Sequence, residues 1–269
     1  MLRGFMDESR DAQNAVPRLF SLSCVVGDDS SWPWFVIDWV KVLDWKNEQL
    51  RAQGRPEISR YHAADCSSCL GEFKGWTVAE QIEFSQKLFE VFKKHPVHIF
   101  GFDMPLQLLV QEFPETKSNP VGFAYVILLK MLMDEIGKET LKLYPRDGIT
   151  LHHDRCDYDS VLKDAFNRIV DDPAFAHRDR FAYITPEGWE DSVPLQPADM
   201  IAYENFKEGE RLVTNRKRRK SLQVILDLDS VSGRAKGFNL ESIRELKSII
   251  EGLGKETKEA LFSTARIQP

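Results

Sequence analysis

Short apolar runs alternate with longer stretches of helical periodicity along this chain. Leu2 to Met6 is the first run, closing on Asp7, Glu8 and Ser9, and Arg18 to Val26 is the second, ended by the turn residues Gly27 to Ser31. Both predict strands, and the few residues between them suit a hairpin. Trp34 to Gln53 sets Phe35, Val36, Trp39, Val40 and Leu43 at helical spacing, and Gly54, Arg55 and Pro56 stop it. Ile58 to Ala63 predicts a short strand, followed by a loop rich in Gly and Cys. Thr77 with Glu80 three residues on is a capping box for a helix reaching Lys94. Pro96 to Phe102 predicts a strand closing on Asp103, and Ile149 to His153 one closing on Asp154. Between them Val121 to Leu143 is the most apolar helix. Asp159 to Val170 predicts a helix, Phe181 to Ile184 a strand, Pro197 to Glu208 a helix with Pro197 in its first turn, and Leu240 to Leu253 a terminal helix.

Alternating strands and helices predict an α/β fold with a mixed sheet. No repeat or Pro- or Ser-rich linker divides the chain. Residues 1–210 read as one α/β domain with insertions, and residues 211–269 as a basic loop and C-terminal helical extension packed on it.

Acids outnumber bases 42 to 36, a net charge of −6. That balance argues against a nonspecific coat on DNA but leaves room for a local basic groove. The four cysteines are Cys24, Cys66, Cys69 and Cys156; Asp7 and Glu8 interrupt the N-terminal apolar stretch where a signal peptide needs continuity. No apolar run reaches the roughly 18–20 residues that span a bilayer. A cytoplasmic protein with no membrane partner is expected, its oligomeric state unspecified.

Asp7, Asp103 and Asp154 each follow a predicted strand. Ligands of open α/β sheets bind at the C-terminal ends of strands, so these carboxylates are expected to meet. Gathered carboxylates repel, and a hard dication such as Mg2+ or Mn2+ relieves the repulsion. Asp199 lies near the start of the Pro197 helix, where a partner for the helix dipole and a metal ligand are equally good readings. His152 shares a strand face with Asp154, but a packed, hydrogen-bonded histidine is the stronger reading; Asp157 and Asp159 suit helix capping. His62, Cys66 and Cys69 have the ligand types of zinc but lack a nearby fourth, which disfavours that metal. Arg216, Lys217, Arg218, Arg219 and Lys220 form a basic run suited to a nucleic-acid backbone. The chain has no Walker-type loop, no Gly-x-Gly-x-x-Gly and no Gly-x-Ser-x-Gly.

Several pieces together resemble the bacterial domain-of-unknown-function 3800 family. They are Asp7-Glu8-Ser9 after a short first strand, His62-Ala63-Ala64-Asp65 ahead of Gly71-Glu72-Phe73-Lys74-Gly75-Trp76, Asp154 closing a late strand, and Gln196-Pro197-Ala198-Asp199 in a late helix. The resemblance covers Phe5 to Glu204, most of the chain. It implies a ribonuclease-H-like mixed sheet with helices on both faces and inserted helices. It also implies that Asp7, Asp154 and Asp199 match the metal-binding acids, with Glu8 close by. His62 would serve as proton shuttle or substrate contact, and Asp65 as a further ligand or orienting group. Arg10 departs from the pattern, which has Gly there, and brings a cation beside the acids. The expected function is a divalent-metal-dependent nuclease or related phosphoryl-transfer enzyme acting on nucleic acid. The alternatives are a non-catalytic binding module on the same fold and a zinc-stabilised structural protein.

Overall fold

A computed structural model describes residues 1–11, 17–214, 217, 219, 221 and 231–265. β1 (Leu2–Arg10) and β2 (Leu19–Asp28) form the expected antiparallel hairpin, from Leu2 opposite Asp28 to Arg10 opposite Phe20. β3 (Val97–Pro105) pairs antiparallel with β2. On the other side of β1, β4 (Ile149–Asp154) runs parallel to it, and β5 (Phe181–Glu187) runs parallel to β4. β6 (Val231–Gly237) pairs parallel with β3. The result is a mixed six-stranded sheet in the order β5-β4-β1-β2-β3-β6, and the chain is an α/β protein.

Strand side chains alternate between faces, so the sheet divides the core in two. Leu2 and Met6 of β1 and Phe20, Leu22, Cys24 and Val26 of β2 face a cluster built with helices α5 (Pro120–Leu141) and α6 (Asp159–Asp171). Short α4 (Leu106–Glu112) and the C-terminal helices α8 (Leu240–Gly252) and α9 (Lys255–Ala265) pack on the same side. Phe5 and Val25 face the opposite cluster, made with α1 (Trp32–Ala52), α3 (Val78–Lys94) and α7 (Leu195–Thr214). The first half of α5, Pro120 to Leu129, is buried throughout, while Lys130, Asp134 and Lys138 of its second half face outward; Asn119 caps the helix by accepting from the Gly122 N–H at 2.9 Å. The capping box of Thr77 and Glu80 opens α3 as the spacing predicts.

Four expectations need correction. Ile58 to Ala63 forms no strand, because side chains rather than a neighbouring strand take its backbone groups. Asn47 bonds both the N–H and the C=O of Ile58 at 2.9 Å, and Gln196 accepts the Tyr61 N–H at 2.9 Å. The loop expected next contains helix α2 (Ala63–Ser68), ended by Cys69 in a left-handed conformation with φ 52°. β1 runs on to Arg10 and β3 to Pro105, so Asp7 and Asp103 lie within their strands rather than after them. The segment beyond residue 210 supplies β6 to the central sheet. Among the described residues, no helix is long and apolar enough to cross a membrane.

α7 rests on β1, β2 and β3. The strip beneath it is polar, with Ser21, Ser23 and Asp103 all buried. Gly209 allows the close approach: a Cβ there would fall 2.6 Å from Leu19 Cδ2 and 3.0 Å from Asp103 Oδ2. Overpacking of this kind costs about 1–3 kcal/mol. Gly209→Val is therefore expected to lower the urea midpoint of unfolding by a corresponding amount, read by circular dichroism, whereas Gly254→Val, where nothing lies within 4 Å, leaves it nearly unchanged.

Candidate metal centre

Parallel pairing of β1 with β4 ends at Met6 opposite His153. Asp7 and Asp154 are the next residues on the two strands, so they stand together where the strands part. Alternation puts both on the α7 face, two residues beyond Phe5 and His152, whose rings stack with centroids 5.1 Å apart. Asp199 reaches the same place from α7. That helix starts at Leu195, two residues earlier than expected, so Asp199 lies beyond its first turn. Its Oδ2 accepts the Ala63 N–H, at the start of α2, at 2.7 Å. The carboxylate thus serves another segment rather than its own helix terminus, which removes the simple dipole-partner reading.

Asp7, Asp154 and Asp199 line one cavity of about 130 Å³, with Glu8, Arg60, His62 and Trp189 also in its walls. Burial pushes the Asp7 carboxyl well above the usual carboxylate range, and the charges of Asp199, Glu8 and Asp154 push the same way. Burial also raises Asp199, to about 6, against the pull of His62, the Ala63 amide and Arg60. Asp154 is raised by burial, opposed by the Arg155 amide and Arg60. Glu8 points to the other face of the sheet and is raised by burial, opposed by the Tyr125 hydroxyl and Arg10. Arg10 lies against the Tyr158 ring, 5.9 Å from its centroid, so the unexpected cation serves Glu8 and is not in the cavity wall.

The remaining sequence-predicted residues divide. His62 lines the cavity, with Nδ1 3.0 Å from Asp65 Oδ2 but poorly aligned for a hydrogen bond. Asp65 is not in the cavity wall; it stands behind His62 and under Gly71, so it is no direct ligand there. Asp103 also stays apart. It is 4% exposed and accepts from Ser21 Oγ and, at 2.8 Å, from Asn205 Nδ2 beneath α7. It lies one strand beyond β2, level with Ser21 rather than Ser23, which faces Asp7. His152 is packed, with Nδ1 donating to Glu187 at 2.5 Å and Nε2 accepting from Thr150 at 3.1 Å. Glu72 holds the Ser59 N–H and hydroxyl, both at 2.7 Å.

Of the basic run, Arg219 turns inward to Glu204 at 3.1 Å and to the Tyr203 ring, so it is not a free phosphate contact. Lys217 is exposed, and Arg216, Arg218 and Lys220 lie outside the described residues. A cavity of about 500 Å³ beyond Tyr61 contains Arg219 and Glu204 but none of the three aspartates.

The zinc set of His62, Cys66 and Cys69, disfavoured by the sequence, does not assemble. Among the described residues, the three His, Cys or acidic side chains with ligand atoms all within 4.8 Å of one another are His153, Cys156 and Asp159, a group that could hold a metal. Hydrogen bonds of the turn bring it together: Asp159 Oδ1 accepts the Cys156 N–H at 2.9 Å, and His153 Nδ1 donates to the Asp154 carbonyl at 2.9 Å. The three aspartates therefore surround their cavity rather than closing on a point.

Sequence reasoning missed Arg60, Trp189 and the bracing role of Gln196. Gln196 Oε1 accepts from both the Tyr61 N–H at 2.9 Å and the Trp39 indole N–H at 3.0 Å. A tryptophan in the polar stretch Glu187 to Asp191, without periodic apolar partners, was the available signal for Trp189. No protein-family model, curated protein or solved structure matches the chain.

Asp103 gives a pH test. Burial raises its carboxyl to about 7, with Glu208 adding to the shift and Ser21 opposing it. A folded-state pKa above the unfolded value of 3.8 means that the stabilising preference for the neutral form is complete at low pH and is lost as pH rises towards 7. Asp103→Asn is expected to gain stability relative to the parent between those limits, on the order of 4 kcal/mol at most, because 1 pKa unit corresponds to about 1.4 kcal/mol. Urea unfolding across that range measures it; a constant difference would refute the assignment.

Proposed function

We propose that this chain is a divalent-metal-dependent nuclease or related phosphoryl-transfer enzyme of ribonuclease-H-like fold, acting in the cytoplasm on nucleic acid. The sheet supports the fold: three successive antiparallel strands, β1-β2-β3, are extended on the β1 side by parallel β4 and β5. One observation carries the function. Asp7, Asp154 and Asp199, from two strands and a distant helix, line a single small cavity, and all three are raised above their ordinary pKa.

The donor set fits magnesium or manganese. All three candidate ligands offer hard oxygens, and Arg60 and His62 only partly offset the acids. Magnesium retains several waters and needs few direct carboxylates, which suits acids spaced around a cavity. When bound, such an ion supplies charge neutralisation and a water acidified enough to attack a phosphodiester. Asp7, Asp154 and Asp199 would hold it. Asp199 keeps its orientation through the Ala63 amide, and Glu8 is braced by Tyr125 at the adjoining edge. His62, beside Asp199 and with Asp65 3.0 Å from its Nδ1, is the group suited to move a proton at the cavity wall.

Asp154→Asn is expected to abolish magnesium-dependent cleavage of a labelled oligonucleotide while leaving the circular dichroism spectrum unchanged; parental cleavage by that variant overturns the proposal. Metal affinity follows from the raised acids. Protons must leave before the ion binds, so magnesium affinity is expected to rise as pH climbs through about 6, where Asp199 ionises, and to level off above. Calorimetry in buffers of different ionisation enthalpy reads the protons released. Asp7→Asn, which removes one repelling charge, is expected to raise the melting temperature of the metal-free protein while eliminating the further rise on adding magnesium.

A further inference from the structure

The cavity is rich in acid, and a phosphodiester brings more negative charge to it. A side chain that meets the phosphate directly is therefore needed beside any bound cation. Arg60 has the position, the charge and the free donors. It shares the cavity wall with the three aspartates, and its charge acts on both Asp154 and Asp199. Its guanidinium carbon lies 4.0 Å from the centroid of the Trp189 ring. Both side chains are partly exposed, at the mouth rather than in the core. Among the described residues, no carboxylate lies within ion-pair distance of the Arg60 guanidinium and no hydrogen bond occupies it.

That combination differs from the other arginines nearby. Arg219 is spent on Glu204, and Arg10 lies on Tyr158 beside Glu8. A ring beneath a guanidinium fixes its plane while leaving its N–H edge available, and that planar fork matches two phosphate oxygens at once. The neighbouring backbone is fixed as well, since Gln196 holds the Tyr61 N–H at 2.9 Å and Asp199 the Ala63 N–H at 2.7 Å. Arg60 therefore leaves a braced segment.

We propose that Arg60, stacked on Trp189, is the phosphate-binding residue of this site and takes the non-bridging oxygens of the phosphodiester adjoining the three aspartates. This deepens the nuclease reading and rests on it for the identity of the substrate. The binding of a phosphate group at Arg60 does not depend on cleavage.

Two measurements on the full chain separate the two. In the first, pyrophosphate is titrated at fixed magnesium while tryptophan emission is followed in the parent, Arg60→Ala and Trp189→Phe. Saturable quenching is expected in the parent and is expected to disappear in both variants. In the second, a fluorescent oligonucleotide is bound with calcium replacing magnesium. Arg60→Ala is expected to weaken binding about 10- to 100-fold, the range of a lost charged hydrogen-bond contact. It should also reduce the slope of log K against log salt by about one. Arg60→Lys, which keeps the charge and loses the fork, falls between. Parental affinity and slope in Arg60→Ala, or no pyrophosphate response in the parent, overturns the assignment of Arg60 even where Asp154-dependent cleavage is present. Pyrophosphate binding through Arg60 without any cleavage sustains Arg60 and removes the nuclease reading instead.

Discussion

Two oxygen-bearing side chains on one turn of α7 hold the working edge of this molecule. Gln196 and Asp199 accept the backbone N–H groups of Tyr61 and Ala63, and Gln196 also takes the Trp39 indole. These bonds tie α1, the segment leading into α2, and α7 into one unit. An extended segment without strand partners would otherwise leave buried N–H groups unmet, at roughly 1–3 kcal/mol each. Because α7 is itself seated on β1, β2 and β3, the same bonds fix residues 60–63 against the sheet end where Asp7 and Asp154 stand. Orientation of Arg60 and His62 follows from that seating.

The molecule buries acids in two different ways. Asp103 is enclosed beneath α7 and supplied with donors from Ser21 and Asn205, yet burial and the charge of Glu208 outweigh them, so its proton is held to about 7. The cavity acids crowd one another, are open at one side, and are only partly offset by Arg60, His62 and three backbone amides. Carboxylates arranged to repel in the folded state are a liability for stability that a dication removes. The contrast between the enclosed acid and the crowded ones separates a structural role from a chemical one more sharply than burial alone.

Much of the fold was legible before any coordinates. The β1-β2 hairpin, the Thr77–Glu80 cap, the apolar first half of α5 and the strands carrying Asp103 and Asp154 follow from local patterns that tertiary contacts reinforce. β6 was not legible, because Val231 to Gly237 alternates weakly and owes its strand state to pairing with β3. The supposed strand at Ile58 failed for the converse reason: its composition suits a strand, but Asn47 and Gln196 took the backbone groups a ladder would have used.

The same division runs through the site. Sequence alone determined that acids would sit in the later part of strands and in a late helix, since apolar periodicity marks the strands and which helical face turns inward. It did not distinguish Asp103 from Asp7 and Asp154, each of which the pattern places after an apolar run. Register decided that: Asp154 adjoins Asp7 where β1 and β4 part, while Asp103 lies two strands away beneath Asn205. Tertiary structure likewise paired Arg60 with Trp189 and turned Arg219 inward. A charged side chain's partner depends on which residues the fold brings within a few ångströms, and spacing along the chain carries no record of that distance.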